Sequence, residues 1–131
     1  MYAALLGLIL LSFSVSVSAA DQFQQIVFSD PNLEAVVRDA VGKRSGLLTV
    51  EDALRLKRLD ASECQISDLS GIERLQNLEY LNLRGNNIAD LTPLAQLKNL
   101  TYLNLHSNTE ISDLAPIGGL INLQTLILRN V

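Results

Sequence analysis

The fold class predicted is an α/β solenoid, a stack of coils each contributing one short strand to a parallel sheet, with a helical cap at its N-terminal end. Three observations predict it. The phrase "YLNLRGNN" at residues 80–87 returns as "YLNLHSN" at residues 102–108, an interval of 22 residues. Aliphatic residues hold the same columns through successive copies, and a stretch with helix-start and helix-stop residues precedes the first copy. At 131 residues, 48% hydrophobic and 18% charged, the chain suits one domain and is too apolar for disorder.

The first twenty residues, "MYAALLGLILLSFSVSVSAA", carry no charged side chain, and their apolar core over residues 3–11 is too short to span a bilayer. Small residues at Ser18, Ala19 and Ala20 before Asp21 mark a secretory cleavage site after Ala20. Residues 1–20 are therefore expected to be a removed signal peptide, although only the terminal amine supplies positive charge ahead of the apolar run. The alternatives are an uncleaved membrane anchor or a buried strand. Export implies a secreted, periplasmic or cell-surface location, with no stable membrane span once the signal is removed. Cys64 is the only cysteine, so no internal disulfide forms and no cysteine follows the signal to carry a lipid.

Residues 21–55 are expected to form the cap. In "SDPNLEAVVRDAVG", Asp30 caps a helix, Pro31 sits in its first turn and Gly42 ends it. Leu33, Val36, Val37, Ala40 and Val41 give that helix one apolar stripe. A second short helix starts at "TVED", where Thr49 and Asp52 have the spacing of a capping box. The two would shield the first repeat layer, Leu56, Leu59 and Ala61, from water.

Residues 56–131 hold three repeats and a partial fourth. The segments are "LKRLDASECQISDLSGIERLQN", "LEYLNLRGNNIADLTPLAQLKN", "LTYLNLHSNTEISDLAPIGGLIN" and "LQTLILRNV". In the second, Leu78, Leu81, Leu83, Ile88, Leu91, Leu94 and Leu97 are apolar, and each column stays apolar in the first and third. The third is one residue longer, because Ile88 to Ile111 spans 23 residues; a single insertion in the turn "NTEI" absorbs the difference. Alternation in "YLNLR" turns Leu81 and Leu83 inward and Tyr80, Asn82 and Arg84 outward, as in a strand. Pro93 and Pro116 then open short helical turns where a missing amide hydrogen does no harm. One such unit buries too little apolar surface to offset its own ordering entropy, so the units must stack.

Two polar columns have structural readings. Asn86 and Asn108, turned inward, can satisfy backbone groups that the turn leaves unpaired. Cys64 takes the same column, and a free cysteine there reads as a small structural side chain; a reactive thiol would need an exposed, electropositive site. Asp68, Asp90 and Asp113 recur just before a leucine and are expected to stabilise turns or cap the helical returns.

The motif "LEYLNLRGNNI" resembles the leucine-rich repeat signature. The 22-residue unit with "I-x-D-L-x-P-L" and "L-x-N-L" is similar to the internalin-like bacterial branch, and "VFSDPNLEAVVRDAVGK" resembles the helical cap that precedes such repeats. The resemblance covers roughly residues 26–131. It implies a right-handed superhelix whose short parallel strands lie on a concave face that binds protein partners, often at a cell surface. At Val131, where the register calls for the next Asn, the last strand would leave an apolar edge. That edge is expected to be covered by further repeats or by self-association.

The outward strand positions form three columns on the expected concave face: Arg58, Tyr80, Tyr102 and Thr125; Asp60, Asn82, Asn104 and Ile127; Ser62, Arg84, His106 and Arg129. From these, Arg58, Tyr80, Asn82, Arg84, Tyr102, Asn104, His106 and Arg129 are the candidate protein-binding residues. Stacked tyrosines offer large contact area at modest entropy cost, although tyrosine also suits strands for packing alone. Arg84, His106 and Arg129 make one edge basic within a chain of net charge −4, suited to carboxylates or phosphates on a partner, or simply solvated.

Enzyme chemistry is not expected. His106 is the sole histidine, without a second His or Cys at metal-ligand spacing, and the repeated aspartates lie along the stack instead of converging. "IGGL" at residues 117–120 is not a phosphate loop, so no metal or other cofactor is implied. Charge without a clustered basic face argues against nucleic acid. The reading is an exported, non-catalytic recognition module for a host or envelope surface protein. The alternative is a targeting or structural segment of a longer secreted enzyme or surface adhesin.

Overall fold

The computed structural model describes residues 24–131, so the expected signal peptide over residues 1–20 lies outside the described residues. Two helices, α1 (Pro31–Val41) and α2 (Val50–Leu54), precede four strands: β1 (Arg58–Asp60), β2 (Tyr80–Asn82), β3 (Tyr102–Asn104) and β4 (Thr125–Ile127). The architecture is the expected α/β solenoid. All four strands are parallel and pair in the order β1-β2-β3-β4. Their register sets Leu59, Leu81, Leu103 and Leu126 side by side, one spine through the stack. The first three leucines are at most 1% exposed, whereas Leu126 in the last strand is 40% exposed.

The return of each coil is a 3-10 turn, at Ile72–Arg74, Thr92–Gln96 and Ala115–Ile117. The recurring aspartates prepare these turns as expected: Asp68, Asp90 and Asp113 accept hydrogen bonds from the amides of Ser70, Thr92 and Ala115 at 2.8, 2.8 and 2.9 Å. Pro93 and Pro116 sit at the start of their turns. Gly71 holds the matching position of the first unit, and the cap explains the exchange. A β-carbon on Gly71 would lie 2.6 Å from the Val27 carbonyl oxygen and 2.7 Å from the Phe28 ring, at a φ of 105° that side chains rarely adopt.

Inside the stack, Asn86 stitches adjacent coils. Its oxygen accepts from the amides of Cys64 and Ile66 at 3.1 and 2.9 Å, and its amide group donates to the carbonyls of Ala61 and Leu83 at 2.8 and 2.9 Å. Asn108 repeats the device one coil on, accepting from Ile88 and donating to Leu83 and Leu105. The lengthened bend of the third unit is outside this ladder: Thr109 and Glu110 are exposed, and the Ile111 amide bonds back to the Asn108 carbonyl at 3.3 Å. A second asparagine ladder runs down the opposite end of the strands. Asn77 donates to the carbonyl of Leu54 in α2 at 2.8 Å, and Asn99 and Asn122 donate to those of Gln76 and Lys98 in the preceding coil, both at 2.9 Å.

The cap forms by the signals that predict it. Asp30 caps α1 by accepting from the Asn32 amide at 2.9 Å, Pro31 opens the helix and Gly42 ends it in the left-handed region. Thr49 and Asp52 complete the capping box of α2. The buried stripe of α1 is narrower than predicted: Leu33 and Val37 are buried, Val36 and Val41 are half-buried and Ala40 is exposed. The helix rests on the edge of a thin coil, and Ile26, Phe28 and Leu48 fill the remaining space. A bridge between Gln25 and Thr49 holds that leading segment in place.

Asp30 also ties the cap to the first coil, because its second oxygen accepts from the amides of Ser67 and Asp68 at 2.8 and 3.2 Å. Burial by itself would raise its titration; the amides of Ser67, Asp68 and Asn32 outweigh burial and hold it below the ordinary carboxylate value. Asp52 follows the same balance, with burial opposed by hydrogen bonds from Lys43 and Thr49. Both groups titrate lower in the folded than in the unfolded chain. Their contribution is therefore complete above the unfolded value of about 3.9 and is lost as pH falls through the folded values. Thermal scans are expected to show the midpoint steady from pH 7 to about 5 and falling below about pH 4. Asp30→Asn is expected to be less stable at pH 7 and less sensitive to acid; a variant with the parent's acid dependence would contradict this linkage.

Candidate functional site

Alternation leaves one side of the four strands free of the core, and all eight predicted face residues lie along it. Register places Arg58, Tyr80, Tyr102 and Thr125 in one row and Asp60, Asn82, Asn104 and Ile127 in the next. The third row continues the ladder through backbone bonds, since Glu63 donates to Arg84, Gly85 to His106 and Ser107 to Arg129.

The first row is a stack. The rings of Tyr80 and Tyr102 lie 4.4 Å apart and within 10° of parallel, and the Arg58 guanidinium covers the Tyr80 ring at 3.9 Å from its centre. One strand spacing sets that separation, and the cation on the ring fixes the first tyrosine further. Burial, with Tyr102 and Asp60 beside it, pushes the Tyr80 hydroxyl up in titration, so it is a neutral donor at physiological pH. Both rings remain half-buried, not core.

The second row divides. Asp60 accepts from the Ser62 hydroxyl at 2.7 Å and the Ser62 amide at 3.1 Å, and the Asn82 amide group reaches both of its oxygens at 3.2 Å. These bonds, that of the Ser62 hydroxyl foremost, hold the Asp60 carboxyl below the ordinary range. Asn104 is only 8% exposed, less accessible than its place in a binding row suggests. Its oxygen accepts from the His106 amide at 2.9 Å, as the Asn82 oxygen accepts from the Arg84 amide at 3.2 Å.

The third row bounds an open concavity of about 510 Å³, lined by Arg84, Asn104, His106 and Arg129 together with Leu126, Ile127 and Leu128. Arg84 approaches Glu63 at 3.9 Å. Among the described residues, neither His106 nor Arg129 has a carboxylate partner. Sequence reasoning placed Ile127 in the second row of the face and missed Glu63 as part of this edge. Glu63 lies in a positive-φ turn, where strand alternation says nothing about direction.

Cys64 is half-buried and donates to the Ser62 carbonyl at 3.1 Å. Burial, then the carboxylates of Asp60 and Glu63, push its thiol up, which suits the structural role and opposes a nucleophilic one. Among the described residues, no group of three or more His, Cys, Asp or Glu side chains could hold a metal ion, and no helix is long and apolar enough to cross a membrane.

Comparison with known proteins gives concordant results. The family model for leucine-rich repeats (2 copies) matches residues 54–96 and 76–119. An internalin (inlF) from Listeria monocytogenes is 34% identical with a TM-score of 0.75, over 79% of this chain and 31% of that one. Internalin C2 (inlC2) from the same organism is 30% identical with a TM-score of 0.62, over 80% of this chain and 59% of that one. The structure of the CBM51-2 and INT domains of ZmpB from Clostridium perfringens matches at 36% identity and a TM-score of 0.59, over 64% of this chain and 18% of that one. The chain thus spans less than two thirds of each of these structures. Curated protein sequences give no match.

Proposed function

Since this chain belongs to the leucine-rich repeat family and is internalin-like, we propose that it is an exported, non-catalytic module that recognises a protein partner through the open face of its sheet. The carrying observation is the Arg58–Tyr80–Tyr102 stack. Rings locked against one another lose little entropy when a partner covers them, and aromatic residues with arginine are the side chains on which binding energy concentrates. Residues 1–20 serve as the export signal in this reading, residues 21–55 as the cap and residues 56–131 as the recognition repeats. The partner is a host or envelope surface protein.

The test is capture of surface proteins by the intact chain, followed by binding measurements with Tyr80→Ala/Tyr102→Ala. The double variant is expected to bind at least about thirtyfold more weakly while keeping its fold. Unchanged affinity in a folded double variant would reduce the stack to strand packing.

A second reading has one observation in its favour. One matched structure holds the CBM51-2 and INT domains of ZmpB together, so a segment similar to this chain occurs within a multi-domain protein. This chain would then be one recognition segment of a larger surface protein. The sheet face plays the same part in either case.

A further inference from the structure

We propose that the concavity between β2 and β4 is a carboxylate site, which takes an acidic side chain of the partner and holds it more tightly when His106 is protonated. This rests on the recognition reading above and adds the partner's chemistry at one place on the face.

The molecule contains its own template for the contact. On the first pair of strands, the Asn82 amide group is occupied by both oxygens of the Asp60 carboxylate. One strand on, Asn104 has the same backbone bond through its oxygen, but its amide group has no acceptor among the described residues. No carboxylate stands in its row: the neighbours are Asn82 and Ile127. Asn104 instead lines the concavity with three cationic or protonatable groups. A carboxylate from outside would complete there what Asp60 completes within the chain.

The charges support the same ligand. Arg84 flanks His106 from the β2 side and Arg129 from the β4 side. The carboxylate recorded nearby, Glu63, reaches only Arg84, loosely at 3.9 Å, and leaves His106 and Arg129 unneutralised among the described residues. The His106 Nδ1 lies 2.9 Å from the Arg129 carbonyl oxygen. A carbonyl only accepts, so Nδ1 carries the hydrogen and fixes the ring, and Nε2 is the nitrogen that gains a proton as pH falls. Protonation therefore adds a donor and a positive charge without breaking the bond that positions the ring.

The experiment is an NMR titration of the full chain with N-acetylated, C-amidated tetraglutamate, using neutral tetraglutamine as control. Tetraglutamate is expected to shift the backbone signals of Asn104 and His106, and tetraglutamine is not. Affinity is expected to rise about threefold from pH 8 to pH 6, because a protonated histidine adds a positive charge and a donor. His106→Gln should abolish that pH dependence, and Arg129→Gln should weaken binding about threefold at either pH. Equal shifts from both peptides, or a pH dependence that survives His106→Gln, would overturn the proposal, as would displacement of the peptide by an equal concentration of inorganic phosphate. The two readings fail separately. Loss of tetraglutamate binding with tyrosine-dependent capture intact removes only this site; the reverse result removes only the recognition strip.

Discussion

Asn86→Ala is expected to lower stability by about 3 kcal/mol or more, read as a fall of roughly 15 °C in the thermal midpoint. The side chain is 4% exposed, and its removal leaves the Cys64 and Ile66 amides without their acceptor between two packed coils. It also strips donors from the Ala61 and Leu83 carbonyls, the second of which keeps its bond from Asn108. A buried amide without a partner costs about 1–3 kcal/mol, so the two donors dominate the effect. Asn108→Ala is expected to cost less, because that oxygen serves one recorded amide, Ile88. Equal losses at the two positions would mean that cavity formation, not unpaired amides, sets the magnitude.

Leu81→Ala is expected to cost about 3–4 kcal/mol, against about 1 kcal/mol or less for Leu126→Ala. The two residues share one column of the register, but Leu81 is fully buried between Leu59 and Leu103 while Leu126 is 40% exposed on the last strand. A cavity at Leu81 cannot be refilled by its neighbours, which are themselves held in fixed strands. Denaturant titration of the pair checks this. Similar losses at both sites would mean that the last coil is as well packed as the middle ones.

Much of this fold is legible in the sequence because a solenoid converts spacing directly into geometry. A residue 22 positions from another, as Leu81 is from Leu59, becomes its lateral neighbour, so repeated leucines foretell the spine and repeated asparagines the ladder. Local rules also suffice for Asp30 and Gly42 as caps and for the Thr49–Asp52 box. Where contacts leave the period, sequence falls silent. The reach of Asp30 to the Ser67 and Asp68 amides crosses from cap to coil, and nothing in the spacing of "SDP" predicts it. The close approach of the Val27 carbonyl and the Phe28 ring to Gly71 is another such crossing. The Asn77, Asn99 and Asn122 ladder was in plain view as the last letter of each segment; its signal was a recurring asparagine at a position that strand alternation does not assign to either face.

For the candidate face, the rows follow from alternation, but their chemistry does not. That Arg58 lies over Tyr80, that Asp60 holds the Asn82 amide, and that Asn104 is nearly enclosed all depend on rotamers chosen by neighbours on other strands. Periodicity gives the address of each side chain and leaves its partner open.

The extra residue at Thr109 and Glu110 has a broader meaning. Because Ile111 finds its acceptor within the same bend, added length there is absorbed locally and never transmitted to the leucine spine. Such a bend is a margin where length can be added or removed while the scaffold beneath keeps its pitch.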